Sequence, residues 1–231
     1  MNDLIHSDLF KFLAVVIPLA VIGSRVSAWF YLRTLRKLRE RHGGTVRDRW
    51  ITYPELVLPQ PEGEIIVSSS PGGSYASETS AQTYFDSPIG CRFHIESRGM
   101  PHPSIERARE DWLFKDWHEF PLRFKAYGDQ PKSFDDIFSR ELVDRIENFI
   151  KSRPVRIRLD EAQEYKDGRL RSNRLPRLAV ATSPSTSDLE ATNELLELCI
   201  SIRNKIRESG AGRTDTDKTP EPEARLKKMF R

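Results

Sequence analysis

The chain has 231 residues, 38% hydrophobic and 31% charged, with a formal net charge of +3. That balance suits one sizeable domain plus accessory segments. The basic excess sits in residues 25–49, where eight Arg and Lys face only Glu40 and Asp48, so the rest is close to neutral and no nucleic-acid partner is expected.

The first element is apolar. Residues 12–24 carry no charge, Arg25 interrupts, and Val26–Leu32 is apolar again apart from Ser27 and the Tyr31 hydroxyl. Taken as 21 residues, Phe12–Leu32 would span roughly 31 Å at 1.5 Å per residue, enough for a bilayer core. Arg25 would snorkel to the headgroups, while Trp29 and Tyr31 form an aromatic belt and Arg33, Arg36 and Lys37 hold the cytoplasmic side. A cleaved signal peptide fits less well, because positive charge follows the apolar run. A buried core helix fits the 13-residue uncharged length but not the basic flank. The expectation is a single-pass transmembrane helix, N-terminus outside and C-terminal domain cytoplasmic, with the lipid bilayer as first partner. Ala20, Ser24 and Ala28, with Gly23 and Ser27, recur at four-residue spacing, a possible face for a homodimer through the anchor.

The helical pattern continues through Leu35 and Leu38 and should stop at Gly43-Gly44. Beyond it, β-like runs alternate with Pro and Gly turns. Strands are expected over Glu55–Leu58, Glu64–Ser69, Ala81–Phe85 and Cys91–Glu96. In the last of these, Cys91, Phe93 and Ile95 should face inward, with His94 and Glu96 outward. Ser104–Trp117 reads as a helix and Pro121–Tyr127 as a strand. A strongly amphipathic helix follows Ser133, with Phe134, Ile137, Leu142, Ile146 and Phe149 on one face, and ends at Pro154. Val155–Leu159 and Glu161–Tyr165 lead to Asp167-Gly168, a hairpin signal, and Leu175–Thr182 is the last strand. A final helix starts at Ser187 and ends before Gly210.

The expected fold class is α+β, a mostly antiparallel sheet with two or three packed helices, preceded by the transmembrane helix. The expected divisions are a short extracytoplasmic 1–8, a spanning 9–32, a basic juxtamembrane helix 33–44, an α+β domain 45–207 and a disordered tail 208–231.

Motifs for chemistry are sparse. There is no phosphate-binding glycine loop, no zinc pattern and no nucleophile elbow in the sequence. No metal or cofactor is expected. Cys91 and Cys199 read as buried free thiols. The weak candidates for acid–base work are His94, His102 and His118, with carboxylates nearby in sequence. The aromatic run from Trp112 to Phe124 reads as core. The functional expectation is a membrane-anchored cytoplasmic interaction domain for an unknown protein partner. The alternative is a membrane-anchored enzyme using the His/carboxylate cluster.

Overall fold

The computed structural model describes residues 2–48, 53–61, 63–70, 77–97, 115–116, 124–128, 136–166 and 169–209. Within them, nine strands form one antiparallel sheet in the order β1-β2-β3-β4-β9-β8-β5-β7-β6. The strands are β1 (Thr45–Arg47), β2 (Glu55–Gln60), β3 (Gly63–Ser70), β4 (Glu78–Tyr84), β5 (Phe93–Ser97), β6 (Lys115–Asp116), β7 (Phe124–Gly128), β8 (Val155–Lys166) and β9 (Arg169–Thr182). Three helices accompany them: α1 (Asn2–His42), α2 (Arg140–Ser152) and α3 (Leu189–Glu208).

Alternation along the strands sorts side chains into two faces, and the register lines them up in rows. One row crosses the sheet as Ile65, Thr83, Leu178, Leu159 and Phe93; the next as Val67, Ala81, Val180, Ile157 and Ile95. All ten are under 2% exposed. Against this layer pack Leu142, Ile146 and Phe149 of α2, and Leu195, Leu198, Cys199, Ile202 and Ile206 of α3. Their three- and four-residue spacing places each set on one side of its helix.

The third row is polar: Ser69, Thr79, Thr182 and then, beyond Val155, Ser97. The core ends here, and hydroxyls satisfy the loop that closes it. Thr182 donates to the Pro154 carbonyl at 2.7 Å, and Thr79 accepts from the Thr186 N–H at 2.9 Å. The Val155 N–H donates to Ser97 at 3.1 Å.

Helix α1 runs unbroken for 41 residues. It stops where two glycines take positive φ, +79° at Gly43 and +89° at Gly44, and the Gly43 N–H returns to the Arg39 carbonyl. At Gly44 a Cβ would sit 2.4 Å from the Val57 carbonyl oxygen, so only glycine lets the chain turn directly into β1 alongside β2.

The sequence expectation for α1 needs correction. Among the described residues no helix is long and apolar enough to cross a membrane. The uncharged run, 13 residues, would cover only about 20 Å. Its expected extension to Leu32 is used elsewhere: Tyr31 and Leu32 are 3% and 9% exposed, with Leu35 and Leu38 fully enclosed. This part of the supposed span is packed against its own domain. The transmembrane helix over 9–32, the single-pass topology and the bilayer as partner are therefore withdrawn, together with dimerisation through a membrane anchor.

Other differences are smaller. β6 falls inside the segment read as a helix over Ser104–Trp117, the rest of which lies outside the described residues. The helix expected after Ser133 is broken: residues 136–137 are helical, 138–139 are not, and α2 runs from Arg140. Ile137, at the end of the first helical piece, and Phe138, in the break, are both buried. α3 is capped by Asp188, whose carboxylate accepts from the N–H groups of Glu190 and Ala191.

Candidate functional site

Three places carry side chains that the fold leaves unsatisfied. The largest is the N-terminal part of α1. Phe12, Leu13, Val15, Val16, Ile17 and Leu19 are between 39% and 62% exposed. Val26, Trp29 and Phe30 add to them at 50–55%. A helix that is apolar around its circumference belongs in apolar surroundings, and so large an exposed patch marks an interaction site.

The second lies at the foot of that stretch. A recess of about 220 Å³ opens where α1, the end of β3 and the loop before α3 meet. Ser27, Phe30 and Tyr31 line it from α1, Ser69 from β3, and Ser185 and Ser187 from the loop. Thr186 completes the wall, and among the described residues no charged side chain contributes. The loop is held by the Ser185 N–H donating to Ser77, the Thr79–Thr186 pair, and Thr34 of α1 donating to the Ser187 carbonyl. The Tyr31 hydroxyl is buried without a hydrogen-bond partner. Burial first, and the charge of Glu55 second, push its ionisation upward, so it stays a neutral donor.

The third is the second face of the sheet. His94 and Glu96 of β5 were expected to point outward into solvent, yet they are 6% and 8% exposed. Arg156, beside Glu96 in register, crosses Ala181 of β9 and pairs with Glu78 of β4 at 2.7 Å. Asp160, 5% exposed, is held by Arg158 and Arg177. Small residues on β9, Ala179 and Ala181, leave room for long side chains to lie flat over the sheet. The His94 Nε2 and Glu96 Oε2 atoms stand 3.5 Å apart, each without a hydrogen bond.

The expected histidine cluster is not assembled by what is described. Only His94 falls within the described residues; His102 and His118 lie outside them. No group of three or more His, Cys, Asp or Glu placed to hold a metal occurs among the described residues. The membrane-anchored enzyme built on that cluster is withdrawn with the anchor. Of the residues expected at the bilayer interface, Trp29 is exposed, Tyr31 is in the core, and Arg33, Arg36 and Lys37 are exposed on the outer side of α1. On the small-residue face, Gly23 and Ser27 are exposed and Ala28 half-buried; the side chains of Ala20 and Ser24 lie outside the description. Cys91 and Cys199 are both buried and neither is in a disulfide. Burial pushes the Cys199 thiol up to about 12, with Arg203 pulling weakly the other way.

The recess escaped the sequence reading because its hydroxyls come from three separate segments. The one local signal is the run Ser183-Pro184-Ser185-Thr186-Ser187, which links the last expected strand to the last expected helix.

No family model and no curated protein sequence matches the chain. A solved structure does share the fold: the mycobacterial trehalose monomycolate transport factor A, TtfA, superposes with a TM-score of 0.51 at 10% identity, over 77% of this chain and 94% of that one. At that identity the likeness concerns the fold alone. It supports the α+β architecture described above.

Proposed function

We propose that the protein is a binding factor for an amphiphilic molecule, serving its transport, with the exposed part of α1 as the apolar contact. The carrying observation is the bare Phe12–Leu19 segment, projecting from a domain that already has a filled core. Aliphatic and aromatic side chains at such exposure gain roughly 25 cal/mol for each Å² they lose to a hydrocarbon ligand. The transport role in the name of the structural neighbour supports this reading as an analogy of fold.

The test is a titration of the full chain with cis-parinaric acid, whose fluorescence rises when its chain leaves water. Saturable binding is expected. The double substitution Val15→Asp and Leu19→Asp should weaken it at least tenfold while leaving the unfolding midpoint in place, since both residues lie outside the core. Absence of saturable binding, or binding indifferent to the two aspartates, overturns the proposal.

A further inference from the structure

Below the bare segment, the outer face of α1 passes from hydrocarbon to positive charge. Val26, Trp29, Phe30, Arg33, Arg36 and Lys37 recur at helical spacing, so a turn of 3.6 residues gathers them in one sector. The opposite sector holds Tyr31, Thr34, Leu35 and Leu38, all buried against the domain. All six outer residues are exposed, three of them apolar and three cationic. Trp29 and Phe30 meet edge to face with ring centroids 5.0 Å apart, an apolar corner left to water. Rings and cations thus border each other along ~17 Å of one helix face.

The cations are set against one another. Arg33 stands three residues before Arg36 and four before Lys37, the spacing at which like charges on a helix repel. Its neighbours one turn up are Trp29 and Phe30, so no carboxylate on the helix faces it. Glu40 is the one carboxylate in the sector, four residues from Arg36 and three from Lys37, and it leaves the patch at +2. Among the described residues no side chain of the three cations makes an ion pair or a hydrogen bond. Arg41, further down α1, is by contrast clasped to Glu190. Cations left unpaired beside bare rings complement a molecule with a negative head and a hydrocarbon tail. A neutral head would leave the repulsion in place, and a cationic head would add to it. The guanidinium forks of Arg33 and Arg36 match the paired oxygens of a phosphate or carboxylate.

We propose that Arg33, Arg36 and Lys37 receive the oxyanion headgroup of an amphiphile whose alkyl chain lies over Phe30, Trp29 and Val26. The inference rests on the amphiphile-binding reading above and specifies its ligand class by charge. Every side chain it uses belongs to one helix turn or its neighbour, and each is open to solvent.

The experiment is calorimetric titration of the full chain with octyl phosphate, octyl β-glucoside, octyltrimethylammonium and inorganic phosphate, each octyl compound below micelle-forming concentration. Octyl phosphate is expected to bind roughly tenfold more tightly than any of the others, and to weaken as salt rises while the glucoside does not. The triple variant Arg33→Gln, Arg36→Gln and Lys37→Gln should bring octyl phosphate to the affinity of the glucoside, with the urea midpoint unmoved. Arg140→Gln, Lys151→Gln and Arg174→Gln together, the same loss of charge at exposed sites off α1, should leave octyl phosphate binding as it was. Trp29→Ser should weaken octyl phosphate and the glucoside alike. Equal losses in the two triple variants would make net charge the cause and overturn the assignment. Inorganic phosphate binding as tightly as octyl phosphate would overturn it too, as would adsorption to phosphatidylglycerol vesicles without binding of monomeric octyl phosphate. Equal affinity for octyl phosphate and the glucoside would sink the headgroup site and leave amphiphile binding standing. Failure of the unmodified chain to bind cis-parinaric acid would instead overturn the broader reading.

Discussion

The two halves of α1 share one continuous helix and live in opposite environments. From Tyr31 to Leu38 the helix presents Tyr31, Thr34, Leu35 and Leu38 to the sheet and α3, and these are 0–6% exposed. From Phe12 to Phe30 it carries side chains of equal or greater hydrophobicity into the open. Hydrophobicity alone therefore does not decide burial. The lower half has a partner surface because its apolar residues recur at three and four, and charge fills the remaining positions: Arg33, Arg36, Lys37 and Arg39 are exposed. In the upper half, Phe12–Leu19 is apolar around its circumference and offers no polar side to turn towards water. Such a segment is the contact assigned above to an apolar ligand.

The sharpest way to break that comparison is to truncate one residue in each half. Leu35→Ala removes a fully enclosed side chain and should lower unfolding free energy by about 2–5 kcal/mol. Val15→Ser, on a residue 60% exposed, should stay within about 0.5 kcal/mol of the parent. Urea denaturation of the full chain reads both. Equal losses would mean that the upper half is packed, and the division proposed for α1 would be wrong.

A second test addresses what the lower half leans on. α3 begins at Asp188, whose side chain accepts two backbone N–H groups at 3.0 and 3.3 Å. Asp188→Ala should cost about 1 kcal/mol. Because α1 meets α3 close to this turn, hydrogen exchange should rise first at the start of α3 and at Thr34, which donates to the Ser187 carbonyl. Exchange unchanged at Thr34 would separate the two helices energetically.

Tyr31 marks the border between the halves, and there the sign reverses. Its hydroxyl has no partner, so Tyr31→Phe should raise stability by roughly 1 kcal/mol in the absence of ligand, seen as a higher urea midpoint. A drop of similar size would reveal a hydrogen bond that the geometry does not show.

The sequence made some of this legible. The pairing of β8 with β9 follows from Asp167-Gly168, since Lys166 lies opposite Arg169 across two residues. The end of α1 follows from Gly43-Gly44. Misreadings have a common cause: periodicity reports that a residue is apolar on one side, not what lies opposite. Tyr31 and Leu32 read as lipid-facing because they continue an apolar run, but the sheet occupies the place assigned to lipid. His94 and Glu96 read as exposed because they alternate with Phe93 and Ile95, yet neighbouring strands carry arginines that lie over the same face. The recess depends on Ser27, Ser69 and Ser187 meeting across the fold, a non-local fact that no window of sequence contains.

The smallest effect belongs to the clasp at the foot of α1, where Arg41 donates to both carboxylate oxygens of Glu190 at 2.8 and 3.2 Å. That hydrogen bond, then the charge of Arg41, holds the Glu190 carboxyl below the usual carboxylate range; burial and Asp188 oppose it. A carboxyl depressed in the folded state stabilises above its unfolded titration and loses that contribution as pH falls through the folded one. Glu190→Gln should therefore lower the melting temperature by at most about one degree at pH 7, since both groups are solvent-exposed. The difference between parent and variant should shrink as pH falls below the usual carboxylate range and vanish once the depressed carboxyl of the folded chain is itself protonated. It should also shrink in 1 M salt, which screens exposed charges beyond about 3 Å. A difference that persists at low pH would assign the effect of the substitution to packing of α1 on α3, and the lower half would then be held by shape alone.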